Sequence, residues 1–119
     1  MLSAQDRDWL HDMQSQYLSR ADAKLAELAL ALDSLAAAPS DLARQGRLRH
    51  LLHNLAGSGG SFGFQAVSET AEAMLDLLRS ARDGERAVDA QFVNDLRSGL
   101  DELRKAFEQA GASGRGWRV

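Results

Sequence analysis

Apolar side chains recur every three or four residues along most of the chain, which is the spacing of one face of an α-helix. Three breaks interrupt this pattern: Pro39 in the run APSD, the glycine-rich run from Gly57 to Gly63, and Gly84 in the run RDGER. The apolar positions of the four resulting segments are Leu10, Met13, Tyr17, Ala21, Leu25, Leu28, Leu32 and Leu35; Leu48, Leu51, Leu52 and Leu55; Val67, Thr70, Ala71, Met74, Leu78 and Ala81; and Phe92 or Val93, Leu96, Leu100, Leu103 and Phe107. The pattern predicts an all-α protein, an up-and-down four-helix bundle.

The ends of the predicted helices carry their own signals. The first segment is long for one helix, so we expect either a bend near Ser19–Asp22 or a short extra N-terminal helix. Ser40 is placed to accept a hydrogen bond from the free amides that begin the second helix, and Asp41 suits the positive helix end. Asp89 is placed in the same way before the last helix.

Composition narrows the class of protein. The chain has 119 residues, no cysteine and a net charge of −3, which excludes disulfides, thiol catalysis and cysteine-bound zinc. Its mild acidity gives no electrostatic reason to bind nucleic acid or anionic lipid. Neither a membrane-spanning run nor a secretory signal is present, so we expect a cytoplasmic protein. Residues 1–110 should form one domain and residues 111–119, which lack an apolar period, a flexible tail; the polar outer faces predict a monomer.

One histidine occupies an unusual helix face. On a helical wheel His53 lies about 150° from the centre of the leucine stripe of its segment, so its imidazole should point to water. The residues on the same side are Gly46, Arg49, Ala56, Gly57 and Gly60. Glycine inside a helix costs about 1 kcal/mol relative to alanine. A face built from such residues therefore suggests that space is needed around the imidazole.

Other interpretations of this stretch compete with that one. An exposed histidine is most often an ordinary surface residue, and Gly57 could end the helix as a C-cap. His50 and His53 could chelate a metal, but no carboxylate stands at helical spacing to complete the site. The run GSGGSFG lacks the Gly-Lys-Ser/Thr ending of a phosphate-binding P-loop, and no strand-turn-helix elbow presents a serine nucleophile.

The run HNLAGSGGSFG, from His53 to Gly63, resembles the signature of histidine-containing phosphotransfer (HPt) domains. In that signature the histidine is followed by an apolar residue and then by a residue that is usually lysine. A glycine and a small residue come next, and another glycine follows later. The matching residues are His53, Leu55, Gly57, Ser58 and Gly63, whereas Ala56 stands where the family usually has lysine. The continuation through Phe64 and Ser68-Glu69-Thr70 is similar to the phosphotransfer domain of chemotaxis-type histidine kinases.

The resemblance implies roles for particular residues. His53 would accept a phosphoryl group and pass it on, while Arg49 and Arg79 would balance its charge. The docking face around His53 would carry only small residues, namely Ala56, Gly57 and Gly60, so that a partner could approach closely; we call this a low face. The hydroxyl of Ser58 would donate either to the phosphoryl oxygens or to its own backbone. Leu75, with Asp76 beside it, takes the place of a carboxylate that steadies the histidine ring in chemotaxis kinases.

The resemblance also implies the partners. These are a response-regulator receiver domain, a hybrid histidine kinase, or both, in a bacterial phosphorelay. The chain would be a carrier without an ATP site, a metal site or another cofactor of its own, and Mg²⁺ would belong to the receiver. The alternative is a non-phosphorylated helical protein-binding module with a degenerate HPt fold, and a metal-dependent hydrolase ranks third.

Overall fold

The computed structural model describes the backbone of residues 3–117 and the side chains of residues 3–111. Within this part, all regular secondary structure is α-helical, and no strand is present. The helices are α1 (Ala4–Ser19), α2 (Ala21–Ala37), α3 (Leu42–Ser61), α4 (Gln65–Arg82) and α5 (Ala90–Trp117). This architecture confirms the predicted all-α fold. No helix in the described part of the chain is long and apolar enough to cross a bilayer.

Helices α2 to α5 form the bundle. Helix α3 packs against α2 and α4, and α5 closes the bundle by packing against the same two helices. The predicted apolar stripes meet at the centre, where the largest fully buried side chains are Phe92, Leu32, Leu35, Leu48, Leu52, Met74, Leu78, Leu96, Leu103 and Val67. Burial of this apolar area is the main force that holds the helices together, because short helices are marginal in water on their own.

The long first segment divides at Arg20, which confirms the predicted break near Ser19–Asp22. The backbone amide of Arg20 donates to the carbonyl oxygen of Tyr17 at 3.2 Å, and α2 begins at the next residue. Helix α1 starts with a capping box between Ser3 and Asp6. It has 16 residues, so the extra N-terminal helix is longer than predicted. It packs on α2 and α5 outside the four-helix bundle.

Two predictions about α3 are wrong. Its N-cap is Asp41 rather than Ser40, because the Asp41 carboxylate accepts a hydrogen bond from the amide of Arg44 at 3.1 Å. The break predicted from Gly57 to Gly63 begins only after Ser61: Phe62 is the C-cap of α3, and Gly63 follows it with a φ of +84°. Val67 and Ser68 of α4 lie against Gly59 and Gly60 and help to keep the last turn of α3 helical, so Gly57 lies inside the helix and is not a C-cap.

The connection between α4 and α5 contains the predicted turn at Gly84, whose φ is +76°. Asp89 accepts a hydrogen bond from the amide of Phe92 at 3.0 Å, which confirms it as the cap of α5. The backbone of α5 continues as helix to Trp117, past the end predicted near Gly111. The expected flexibility of residues 111–119 falls mostly outside the described side chains and stays a prediction.

Candidate functional site

His53 lies on the outer face of α3, where its imidazole is exposed to solvent. Leu48, Leu52 and Leu55 on the opposite side of the helix are buried. This placement confirms the orientation predicted from the helical wheel. The imidazole forms no hydrogen bond or ion pair with the described residues, so its ring nitrogens are available to a partner.

His53 opens onto a groove between α3 and α4. The groove is lined by Gly46, Arg49, His50, His53, Leu75, Asp76, Arg79 and Arg82. The structure therefore brings Arg49 and Arg79 to the same groove as His53, as the sequence predicted. Arg82 joins them and was missed, although its position three residues after Arg79 puts both on one face of α4.

The arginines of the groove differ in their surroundings. Arg79 contacts Asp76, Asp83 and Glu85 at distances of 3.9, 3.4 and 3.5 Å. Arg49, in contrast, forms no ion pair with any residue that the structure describes. Arg49 is thus a cation without a local counter-charge, whereas Arg79 is already surrounded by carboxylates.

His50 also lines the groove, but its ring is engaged with its own helix. The side-chain amide nitrogen of Asn54 lies 3.2 Å from Nε2 of His50, and it donates to Nε2 in the tautomer that leaves this nitrogen unprotonated. A ring nitrogen that accepts this bond cannot attack a phosphorus atom at the same time. The geometry therefore distinguishes His53 from His50.

The small residues near His53 divide into two groups. Gly57 is exposed, and a Cβ atom added there would meet nothing within 4 Å. Gly60 is exposed as well, with Ser68 Oγ at 3.5 Å from such an atom. Ala56 is only 4% exposed and belongs to the core, so placing it on the low face was wrong. The buried arc of α3 is wider than its leucine stripe because α4 covers this side, where Ser68 donates to the carbonyl oxygen of Ala56 at 2.9 Å.

Of the two roles predicted for the Ser58 hydroxyl, the structure shows the bond to its own backbone, and Ser58 does not line the groove beside His53. Its hydroxyl donates to the carbonyl oxygen of Leu55 at 3.3 Å and lies 2.8 Å from the hydroxyl of Tyr17. This bond joins α1 to α3 on the side away from His53. Burial raises the pKa of Tyr17, and its hydrogen bond with Ser58 opposes that rise to a smaller extent.

Leu75 and Asp76 occupy the wall of the groove on α4. Leu75 is half-buried, and the Asp76 carboxylate lies 3.9 Å from Nε of Arg79. Among the described residues, no carboxylate is hydrogen-bonded to His53. The imidazole is therefore positioned by the rigid helix that carries it rather than by a hydrogen bond.

An exposed imidazole on a bundle helix, beside a basic groove and a glycine face, is the arrangement suggested by the HPt signature. A family model described as Hpt domain matches residues 12–106, and the chain belongs to this family of phosphocarrier modules. The chain is also similar to the chemotaxis protein CheA of Salmonella typhimurium strain LT2, with 28% identity over 99 residues. That similarity covers 83% of this chain but only 15% of the much longer relative.

Proposed function

We propose that this protein carries phosphoryl groups on His53 between aspartates of response-regulator receiver domains, or between a hybrid histidine kinase and such a receiver. The observation that carries this proposal is the contrast between the two imidazoles of the groove. His53 is exposed and free, whereas His50 is hydrogen-bonded to Asn54. The family match supports phosphoryl carriage as the chemistry of the exposed ring.

The transfer step uses the lone pair of one imidazole nitrogen. The nitrogen attacks the phosphorus of an aspartyl phosphate, a phosphorus–nitrogen bond forms, and the bond to the carboxylate oxygen breaks. The electrons of that bond leave with the aspartate, and the reverse step restores it. Imidazole suits this task because a large fraction of it is unprotonated near neutral pH.

The residues around His53 supply charge and access. Phosphoryl transfer depends mainly on in-line positioning and on stabilisation of charge. Arg49 provides positive charge on α3 and Arg79 on α4, while Gly57 and Gly60 leave the docking face low enough for close approach. We propose that the Mg²⁺ required for the reaction is held by the receiver and that this chain uses no cofactor of its own. We further propose a monomeric protein of the bacterial cytoplasm.

The proposal is tested by incubating the protein with phosphorylated receivers of the source organism. The wild type should take up the phosphoryl group, and His53→Gln should abolish uptake without changing helix content. His50→Gln is the matched control, since it removes the other imidazole of the groove, and it should retain uptake. The linkage should be labile in acid and stable in base, as expected for a phosphorus–nitrogen bond.

The competing function is a non-phosphorylated binding module with a degenerate HPt fold. The observation that favours it is the replacement of the usual lysine by Ala56, which is buried in the core. Under this alternative a receiver binds but leaves no phosphoryl group on the protein. Binding without uptake, across all receivers of the organism, would therefore contradict the phosphocarrier proposal.

A further inference from the structure

The cluster of carboxylates around Arg79 has no part in the proposed transfer step. We propose that Glu85, together with Asp83, slows the phosphorylation of His53 by holding Arg79 in ion pairs and away from the incoming phosphoryl group. In this scheme Glu85 is a positioning residue that acts through Arg79. The inference rests on the proposed function of His53.

The geometry shows that Arg79 is held loosely. One terminal nitrogen, Nη1, lies 3.4 Å from an oxygen of Asp83 and 3.5 Å from one of Glu85. Charge-assisted hydrogen bonds of good geometry measure about 2.7–2.9 Å, as between Arg86 and Asp95 at 2.7 Å. The Arg79 side chain is also 47% exposed, so water competes for its donors. A phosphoryl dianion in the groove could therefore draw Arg79 away.

The backbone keeps Glu85 at this position. After the turn at Gly84, the amide of Glu85 donates to the carbonyl oxygen of Ser80 at 2.8 Å. This hydrogen bond does not involve the carboxylate. Replacing Glu85 with glutamine should therefore remove the charge that holds Arg79 and leave the turn between α4 and α5 in place.

Arg49 provides the contrast on the opposite wall of the groove. It forms no ion pair with the described residues, and its Nη1 lies 4.0 Å from where a Cβ atom of Gly46 would stand. Arg49 is thus ready to meet an anion without first losing a partner. The groove thus contains an immediately available arginine on α3, whereas its two arginines on α4, Arg79 and Arg82, are both paired with carboxylates.

Releasing Arg79 should give a measurable gain in rate. A guanidinium that is free to reach the phosphoryl group stabilises the charge of the transition state. An exposed ion pair contributes little free energy, so its removal should change the rate constant for phosphorylation of His53 about twofold to fivefold. The gain should shrink as salt rises, because exposed charges are screened.

The experiment measures the rate constant for phosphorylation of His53 by phosphoramidate, a small donor that needs no protein partner. The imidazole nitrogen forms the new bond to phosphorus as the phosphoramidate nitrogen leaves as ammonia. Glu85→Gln should react about twofold to fivefold faster than the wild type at low salt. Asp33→Asn is the matched control, because it makes the same change of net charge at a residue that pairs with Arg97 on α5 and does not line the groove.

A double variant separates the two ways in which Glu85 could act. In the Arg79→Ala background, Glu85→Gln should have no further effect if the carboxylate acts through Arg79. A gain that persists without Arg79 would overturn the inference, because Glu85 would then repel the donor directly. Equal rates for Glu85→Gln and Asp33→Asn would overturn it as well. If the wild type acquires no phosphoryl group on His53, the proposed function itself fails, which is a distinct outcome.

Discussion

Gly57 and Gly59 lie two positions apart in α3, but their replacement by alanine should have opposite effects. Gly57→Ala should raise the free energy of unfolding, and Gly59→Ala should lower it. Both residues have helical backbone angles, so neither requires glycine for its conformation. They differ in what a new methyl group would meet. At Gly57 it would meet open space, whereas at Gly59 it would stand 3.0 Å from Cγ1 of Val67 and 3.3 Å from the amide nitrogen of Ser68.

The magnitudes follow from these surroundings. Gly57→Ala gains helix propensity of about 1 kcal/mol, which raises the midpoint of thermal unfolding by about 4 °C in a domain of this size. Gly59→Ala gains the same propensity but overpacks the contact between α3 and α4, at a cost of about 1–3 kcal/mol. Val67 cannot readily adopt another rotamer, because a β-branched side chain is stiff about χ1. The backbone of Ser68 cannot readily shift either. The net result at Gly59 should be a loss of about 1 kcal/mol.

Thermal and urea unfolding, followed by circular dichroism, would measure both variants against the wild type. A third variant, Gly57→Glu, adds bulk and negative charge one turn after His53 and should impair phosphoryl uptake while the fold persists. A lower unfolding midpoint for Gly57→Ala, or a higher one for Gly59→Ala, would refute the assignment of Gly57 to an open face and of Gly59 to a helix contact. Full phosphoryl uptake by Gly57→Glu would refute the idea that the face around His53 must be free of long side chains.

Three further predictions concern ionisable groups. Arg49→Ala should slow phosphorylation of His53 about twofold to fivefold at low salt and less at high salt, measured with phosphoramidate. Burial raises the pKa of Tyr17 above its ordinary 10.0. The neutral phenol therefore stabilises the fold below that value, and this stabilisation is lost as pH rises through the folded pKa. Tyr17→Phe should lose less stability than the wild type in alkaline unfolding experiments. Hydrogen bonds from Arg86, and then from Gln91, lower the pKa of Asp95 below 3.8, so its contribution is present above that value and is lost as pH falls through the folded pKa; Asp95→Asn should flatten this part of the acid unfolding curve.

The sequence alone predicted the fold class and the direction of His53. Both depend on the periodicity of apolar side chains, which is a local property of each helix. The length and spacing of the segments also predicted the break near Ser19–Asp22 and the presence of Arg49 beside the histidine, and capping preference predicted the cap at Asp89. The HPt signature then supplied the family, which the match over residues 12–106 confirmed.

Only the tertiary structure decided where α3 ends and which of its residues are buried. The last turn of α3 continues through Gly59 and Gly60 because Val67 and Ser68 of α4 pack against them, and no sequence window of α3 contains that contact. The same helix buries Ala56, while α1 draws the hydroxyl of Ser58 toward Tyr17 and away from His53. The carboxylates that surround Arg79 are likewise assembled by the turn after α4. Periodicity gives the direction of a side chain from its own helix, but its burial and its charge partners depend on which neighbouring helices pack against that face.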